Sequence, residues 1–222
     1  MGQKEWAARL PVAKSKAELV YDNLHTAIVG GALRPGERIN MDELARNLGV
    51  SKIPIREAVK RLQSEGLVVS RVHSGVMVAE IDQKEIHGVF LAREAIEGLV
   101  GRLAVDNVSA KLLADLQRVQ RSMRKQLDKG EVESLPELNA DFHRILAEAS
   151  GYRILVELTE QLLLTVRRYR LVSPTDEQAW WTVVDEHDAI IEALRGSDAE
   201  GVAEAVRAHT VSQASREGTS SE

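Results

Sequence analysis

The chain of 222 residues contains no cysteine, which excludes disulfide frameworks and thiolate metal sites alike. Any bound metal therefore has to be held by His, Asp, Glu or Asn, and the composition suits the reducing cytosol. No apolar run approaches the length of a membrane-spanning helix, and the opening MGQKEWAARLPVAKSK lacks the apolar core of a signal peptide. A soluble, cytoplasmic protein with no membrane partner is the expectation. Aromatic residues make up only 4%. With Ala, Leu, Val, Glu and Arg dominant, that scarcity favours helices over a sandwich or barrel. Hydrophobic residues amount to 44%, enough over this length to build two cores.

A net charge of −5 argues against nucleic-acid binding until it is divided along the chain. Residues 1–80 hold 12 Lys/Arg against 9 Asp/Glu, net +3, whereas 81–222 hold 17 against 25, net −8. A basic module joined to an acidic one fits phosphate contact through the first part only.

Within that first part, Leu19, Val20, Leu24, Ala27 and Ile28 recur at helical spacing over 16–32 and run into Gly30-Gly31. After the turn Leu33-Arg34-Pro35-Gly36-Glu37, the residues Met41, Leu44, Ala45 and Leu48 share one face of a short second helix closed by Gly49. Ser51 stands where a cap belongs, and Pro54 falls in a first turn whose amides have no helical partner. Ile55, Ala58, Val59 and Leu62 carry the stripe through a third helix ending near Glu65-Gly66. Two short helices about a Gly-centred turn make a helix-turn-helix, with Ser51, Lys52 and Arg56 on the leading end of the second. The β-prone stretches 67–70 and 76–78 flank Arg71-Val72-His73-Ser74-Gly75 and read as a hairpin wing. Arg71, His73 and the small tip at Gly75 can approach a phosphate or a minor groove closely.

The run LRPGERINMDELARNLGVSKIPIREAVKRLQSEGLV, followed by SGVMV, resembles the DNA-binding domain of the GntR family without a gap over roughly 14–80. The resemblance implies a winged helix-turn-helix bound to a double-stranded operator through Ser51, Lys52 and Arg56, with Pro54 in the motif and Gly75 at the wing tip. Arg34 and Arg46 are weaker candidates for phosphate contact. Lys52 and Ile53 stand where the family often has Arg and Thr. Lys keeps the charge of Arg but not its bidentate fork.

From Ile81 onward the pattern is helical, with breaks near 107–109, Gly130, Ser150-Gly151, Ser173-Pro174 and Gly196-Ser197. These bound six helices at about 83–107, 109–129, 135–149, 152–172, 175–195 and 198–215. Short connections favour antiparallel neighbours, so the fold class is mostly α: a winged helix-turn-helix over 14–80, then an antiparallel six-helix bundle over 83–215. Asn139 lies one turn before His143 and shares its face. In an antiparallel hairpin turning at Ser197, His187 lies 10 residues before the turn and His209 lies 12 after it. At about 1.5 Å per residue both reach one level, and in a bundle that simply goes up and down the count from Gly151 brings His143 to a similar height. Three imidazoles at one depth suit a divalent cation such as Zn²⁺ or Ni²⁺.

NADFHRILAEASG, EHDAIIEALRGSDAEGVAEAVRAH and REAIEGLVGRLA resemble the FadR-type helical domain called FCD, over about 87–210. Six helices rather than seven point to its VanR-like branch. Many members hold a metal through an acidic or Asn residue four before a His plus two further His, which maps onto Asn139, His143, His187 and His209. Asn139 replaces the commoner Asp, so the site has one negative charge fewer. The resemblance also implies an effector-binding and dimerising role, with organic acids frequent among effectors. Arg93, one turn before Glu97, offers a fork that can take a carboxylate or can pair with Glu97 itself. In Arg167-Arg168-Tyr169-Arg170 neighbouring side chains diverge, so one is expected to face inward.

The leading expectation is a homodimeric transcription regulator and not an enzyme. Two other classes stay open on the residues alone. A metal-dependent hydrolase lacks any HExxH or Ser-His-Asp pattern here. A winged helix used purely for assembly runs against the charge split.

Overall fold

The computed structural model describes residues 14–71, 74–171 and 175–217, which fall into two compact units parting between Ala79 and Glu80. The first unit runs α1 (Lys16–Val29), β1 (Arg38–Ile39), α2 (Met41–Leu48), α3 (Lys52–Ser64), β2 (Val68–Arg71) and β3 (Gly75–Val78). Its helices start and stop for local reasons. The Ser15 hydroxyl accepts from the Glu18 amide while the Glu18 carboxylate accepts from the Ser15 amide, a reciprocal cap that opens α1. Asn40 accepts from the amides of Asp42 and Glu43 to open α2, and Gly49 closes it at φ 63°, a left-handed conformation that costs glycine nothing.

α1 packs on α3, burying Val20, Leu24 and Ile28 on one side and Ile55, Ala58, Val59 and Leu62 on the other. Each larger side chain buried in this way contributes about 1.5–3 kcal/mol before the entropy of ordering it is counted. The hairpin expected after α3 is present, pairing Val68 with Val78 and Arg71 with Gly75. The sequence reading did not foresee β1, which pairs with β3 to make an antiparallel sheet of order β1-β3-β2. Two residues carry no alternation to read. The strand exists because the Val78 amide donates to Glu37 O at 2.8 Å and the Gly36 amide to Val78 O at 3.0 Å.

The second unit is a succession of α4 (Gln83–Ala104), a 3₁₀ turn at Val105–Asn107, α5 (Ala110–Leu127), α6 (Leu135–Ala149), α7 (Arg153–Arg170), α8 (Glu177–Arg195) and α9 (Ala199–Arg216). Asp82, Ser109 and Asp176 cap α4, α5 and α8 by accepting from the amides of Glu85, Leu112 and Ala179. The core gathers Leu116, Met123, Leu135, Phe142, Trp180, Ile190, Leu194, Val202 and Val206, with Trp181 packed at its edge. Trp180 is thus a core residue. α4 packs most extensively on α9, and the approach is tight at Gly101, where a Cβ would stand 3.0 Å from Val206 Cγ2. Among the described residues no helix is long and apolar enough to cross a membrane.

Candidate functional site

Two sites emerge, one on each unit. On the first, the buried stripe of α3 leaves Ile53, Arg56, Glu57 and Lys60 on its outward face. Ser51, Lys52 and Arg56 are exposed at its leading end, with Pro54 half-buried among them. Ser51 occupies the cap position by backbone, at φ −71° and ψ 169°, yet its hydroxyl makes no capping bond. Such a hydroxyl ordinarily accepts from the second or third helical amide, and the third residue here is Pro54, which has no N–H. The Lys52 ammonium pairs with Asp42 on α2, and this hydrogen bond, before the Coulomb attraction, lowers the Asp42 pKa.

Arg34, Arg46 and Arg71 are exposed, and Gly75, at φ 80°, faces Arg71 across the hairpin. The expectation for His73 lies outside the described residues. Arg38, which the sequence reading passed over, sets its guanidinium beside the wing: a Cβ on Gly75 would lie 3.7 Å from Arg38 Nε. No pattern along the chain signals this, because it depends on the pairing of Arg38 with Met77.

On the second unit α6, α8 and α9 bring His143, His187 and His209 together, all fully buried, with one ring nitrogen of each within 4.8 Å of the others. What faces the other ring nitrogens decides the chemistry. His143 Nδ1 lies 2.8 Å from Glu97 Oε2 on α4, and His209 Nδ1 lies 2.7 Å from Glu186 Oε2 on α8. Ionised carboxylates only accept, so each Nδ1 carries a proton and each Nε2 is the nitrogen turned to the other rings. His187 follows the same logic. The Gln120 amide donates to Val184 O and Asp188 Oδ1, both at 2.7 Å, so its Oε1 is the end that meets His187 Nδ1 at 3.2 Å. His187 Nε2 is then buried with no partner.

The consequence is a convergence of three Nε2 atoms. His143 Nε2 and His209 Nε2 stand 3.1 Å apart, a contact that two lone pairs tolerate only with a donor or a cation between them. Imidazole nitrogens on one tetrahedral ion at about 2.1 Å stand roughly 3.4 Å apart, so the spacing is close to that of a shared metal. Burial first, with a counteracting bond from Glu186, lowers the His209 pKa to about 4, and burial also pushes His187 well below the usual imidazole value. Both rings are neutral at physiological pH, the ligand form. Burial would raise Glu97, but Arg93 and His143 hold it well below the ordinary carboxylate range. Glu186, also partly desolvated, is drawn to about 2 by bonds from His209, Arg216 and Ser212. Phe142 stacks on His187 at 3.8 Å and fixes the ring plane.

Asn139 is buried, its Oδ1 3.5 Å from Gln213 Nε2, and that same amide nitrogen stands 2.7 Å from His209 Nε2. Gln213 is held in this sense because its Oε1 accepts from Arg93 at 2.9 Å and Arg170 at 3.4 Å. The Arg93 fork is already engaged: Nε and Nη2 donate to the two oxygens of Glu97 at 2.6 and 3.3 Å. Of the two roles the sequence left open for Arg93, the pairing with Glu97 is the one seen. The expectation that one of Arg167, Arg168 and Arg170 faces inward needs correction, since both Arg168 and Arg170 are buried. The end of α7 is enclosed on two flanks, and Arg170 reaches Glu217 at 2.9 Å beyond α9. Glu186, Gln120 and Gln213 were missed as partners of the histidines. Gln213, one turn after His209, was the one with a readable signal.

Residues 16–78 match the family described as bacterial regulatory proteins, gntR family, and residues 88–212 match the FCD domain. The HTH-type transcriptional regulator YdhC of Bacillus subtilis is 30% identical over 190 residues, 85% of either chain. The solved structure of Escherichia coli McbR/YncC superposes with a TM-score of 0.77 at 25% identity, covering 91% of this chain and 97% of that one. A GntR-type structure from Rhodococcus sp. shares the fold with a TM-score of 0.80 at 18% identity, over 94% of this chain and 100% of that one.

Proposed function

This chain belongs to the gntR family of bacterial regulatory proteins with a C-terminal FCD domain, a transcriptional regulator and not an enzyme, and from that premise we propose how it reads DNA and senses a ligand. As a homodimer it sets two copies of α3 on a pseudo-palindromic duplex. Ser51, Lys52 and Arg56 face base edges, and Arg34, Arg46, Arg71 and the Gly75 tip meet the backbone, with Arg38 added to this set and His73 kept in it. Pro54 serves by leaving the Ser51 hydroxyl uncommitted.

In the FCD unit, His143, His187 and His209, with Asn139 as an oxygen donor, would hold a divalent cation such as Zn²⁺ or Ni²⁺. Bound there, the cation supplies open coordination positions for the carboxylate of a small organic acid. Glu97, Glu186 and Gln120 hold the three rings in the ligating tautomer. Arg93 and Glu97 act on the effector through that arrangement, Arg93 neutralising Glu97 and orienting Gln213. An effector changes operator affinity only by binding one arrangement of the dimer better than another. α4, which carries Arg93 and Glu97, begins four residues past Ala79.

The observation that carries the sensing half is the meeting of three imidazole nitrogens whose opposite sides are all taken. Elemental analysis of the purified protein, repeated on His187→Ala, tests it together with a thermal-shift screen of small carboxylic acids. Metal near one equivalent in the parent and little in the variant is the expected result. Equal metal content in both removes the site. For the DNA half, Arg56→Ala, on an exposed position, should abolish the shift of a duplex selected by the parent protein while leaving its melting temperature in place. Unchanged binding refutes that role.

A further inference from the structure

Ile53 is 66% exposed, more than any other large apolar side chain among the described residues, and it stands second in α3. It shares its face with Arg56, Glu57 and Lys60, three, four and seven positions on. The two residues before it are Ser51, whose hydroxyl caps nothing, and Lys52, turned aside to Asp42. A branched aliphatic group in water at such a tip contributes nothing to the core of its own unit, which closes over Ile55, Ala58, Val59 and Leu62 on the opposite side.

The ligand that covers it has to be polyanionic where Arg56 and Lys60 look and apolar at one point ahead of them, at the tip of the helix. A protein surface complementary to Ile53 would be apolar over a wider area, and the cations and hydroxyl around it would be left unpaired. The floor of a DNA major groove carries one apolar projection, the C5 methyl of thymine, among hydrogen-bonding edges. We propose that Ile53 is a specificity-determining residue that packs on a thymine methyl in the operator, selecting A·T at one position of each half-site by apolar contact. The proposal rests on the DNA-reading role of α3 and adds to it a base and a mode of contact.

The test uses the full chain and duplexes recovered by that chain from a randomised oligonucleotide library. Each thymine of the recovered site is replaced in turn by deoxyuridine, which lacks only the methyl group, and affinity is measured by fluorescence anisotropy for the parent and for Ile53→Ser. Loss of one buried methyl weakens the parent about fourfold at one thymine. Ile53→Ser, with its melting temperature checked against the parent, binds the thymine and uracil duplexes equally at that position. A parent indifferent to every replacement overturns the proposal, as does a variant that keeps the same discrimination. If the parent recovers no duplex, the DNA-reading role itself fails and this inference falls with it, a result distinct from binding without methyl preference.

Discussion

Replacing Glu97 with Gln tests whether the buried network around the histidines is held by charge. Glu97 and Arg93 are both sealed from solvent, 1% and 0% exposed. The carboxylate takes two guanidinium bonds, at 2.6 and 3.3 Å, and faces His143 Nδ1 at 2.8 Å. An amide of the same shape has one accepting end, so its NH₂ end must meet either Arg93 or His143, donor against donor, and the guanidinium charge is left uncompensated. Breaking a buried pair in this way costs about 3–5 kcal/mol. The assay is urea unfolding followed by tryptophan fluorescence in a Trp6→Phe background, so that Trp180 and Trp181 report on the FCD unit alone. Replacing both partners, Arg93→Met with Glu97→Leu, removes the charges together. It leaves chiefly His143 Nδ1 without an acceptor, about 1–3 kcal/mol. The double variant should therefore be more stable than Glu97→Gln. A loss under about 1 kcal/mol for the single change, or a double variant as unstable as the sum of its parts, refutes the reasoning.

Three further outcomes follow from the same structure. Stripping divalent metal from the parent with a chelator should lower its melting temperature, since a ligand at a hundredfold its Kd stabilises by about 2.7 kcal/mol; His187→Ala should melt alike with and without chelator. Gly101→Val places its side chain against Val206 and Val202, 3.0 and 3.2 Å from where a Cβ would sit, and should destabilise the FCD unit by about 1–3 kcal/mol in the same urea assay. Asp42→Asn frees Lys52 from its ion pair for the base edge it is proposed to read, so a selected duplex should bind more tightly, by about 1 kcal/mol; unchanged affinity shows that Lys52 does not reach the DNA.

The helix-turn-helix was legible because its signals are local. The closing Gly49, Pro54 in a first turn and the stripe of Ile55, Ala58, Val59 and Leu62 each act within a few residues of chain. The meeting of His187 and His209 was legible for a related reason: a tight turn at 196–198 makes depth along two helices a matter of counting. The family resemblance added the DNA-contact and metal-ligand roles to positions the pattern had already placed on those faces.

What the sequence by itself determined is therefore where helices begin and end, which face of each is apolar, and that His187 and His209 share a level. Only the tertiary structure decided the chemistry of that level. Glu97, Gln120, Glu186 and Gln213 come from α4, α5, α8 and α9, and which ring nitrogen each one meets depends on helix rotation that no local spacing encodes. Glu186 shows the point: it adjoins His187 yet serves His209, because adjacent residues on a helix point about 100° apart. The same holds for β1 and for Arg38 beside Gly75. Each is a contact between side chains or strands whose partner is set by packing, and packing is a property of the assembled core rather than of any stretch of chain.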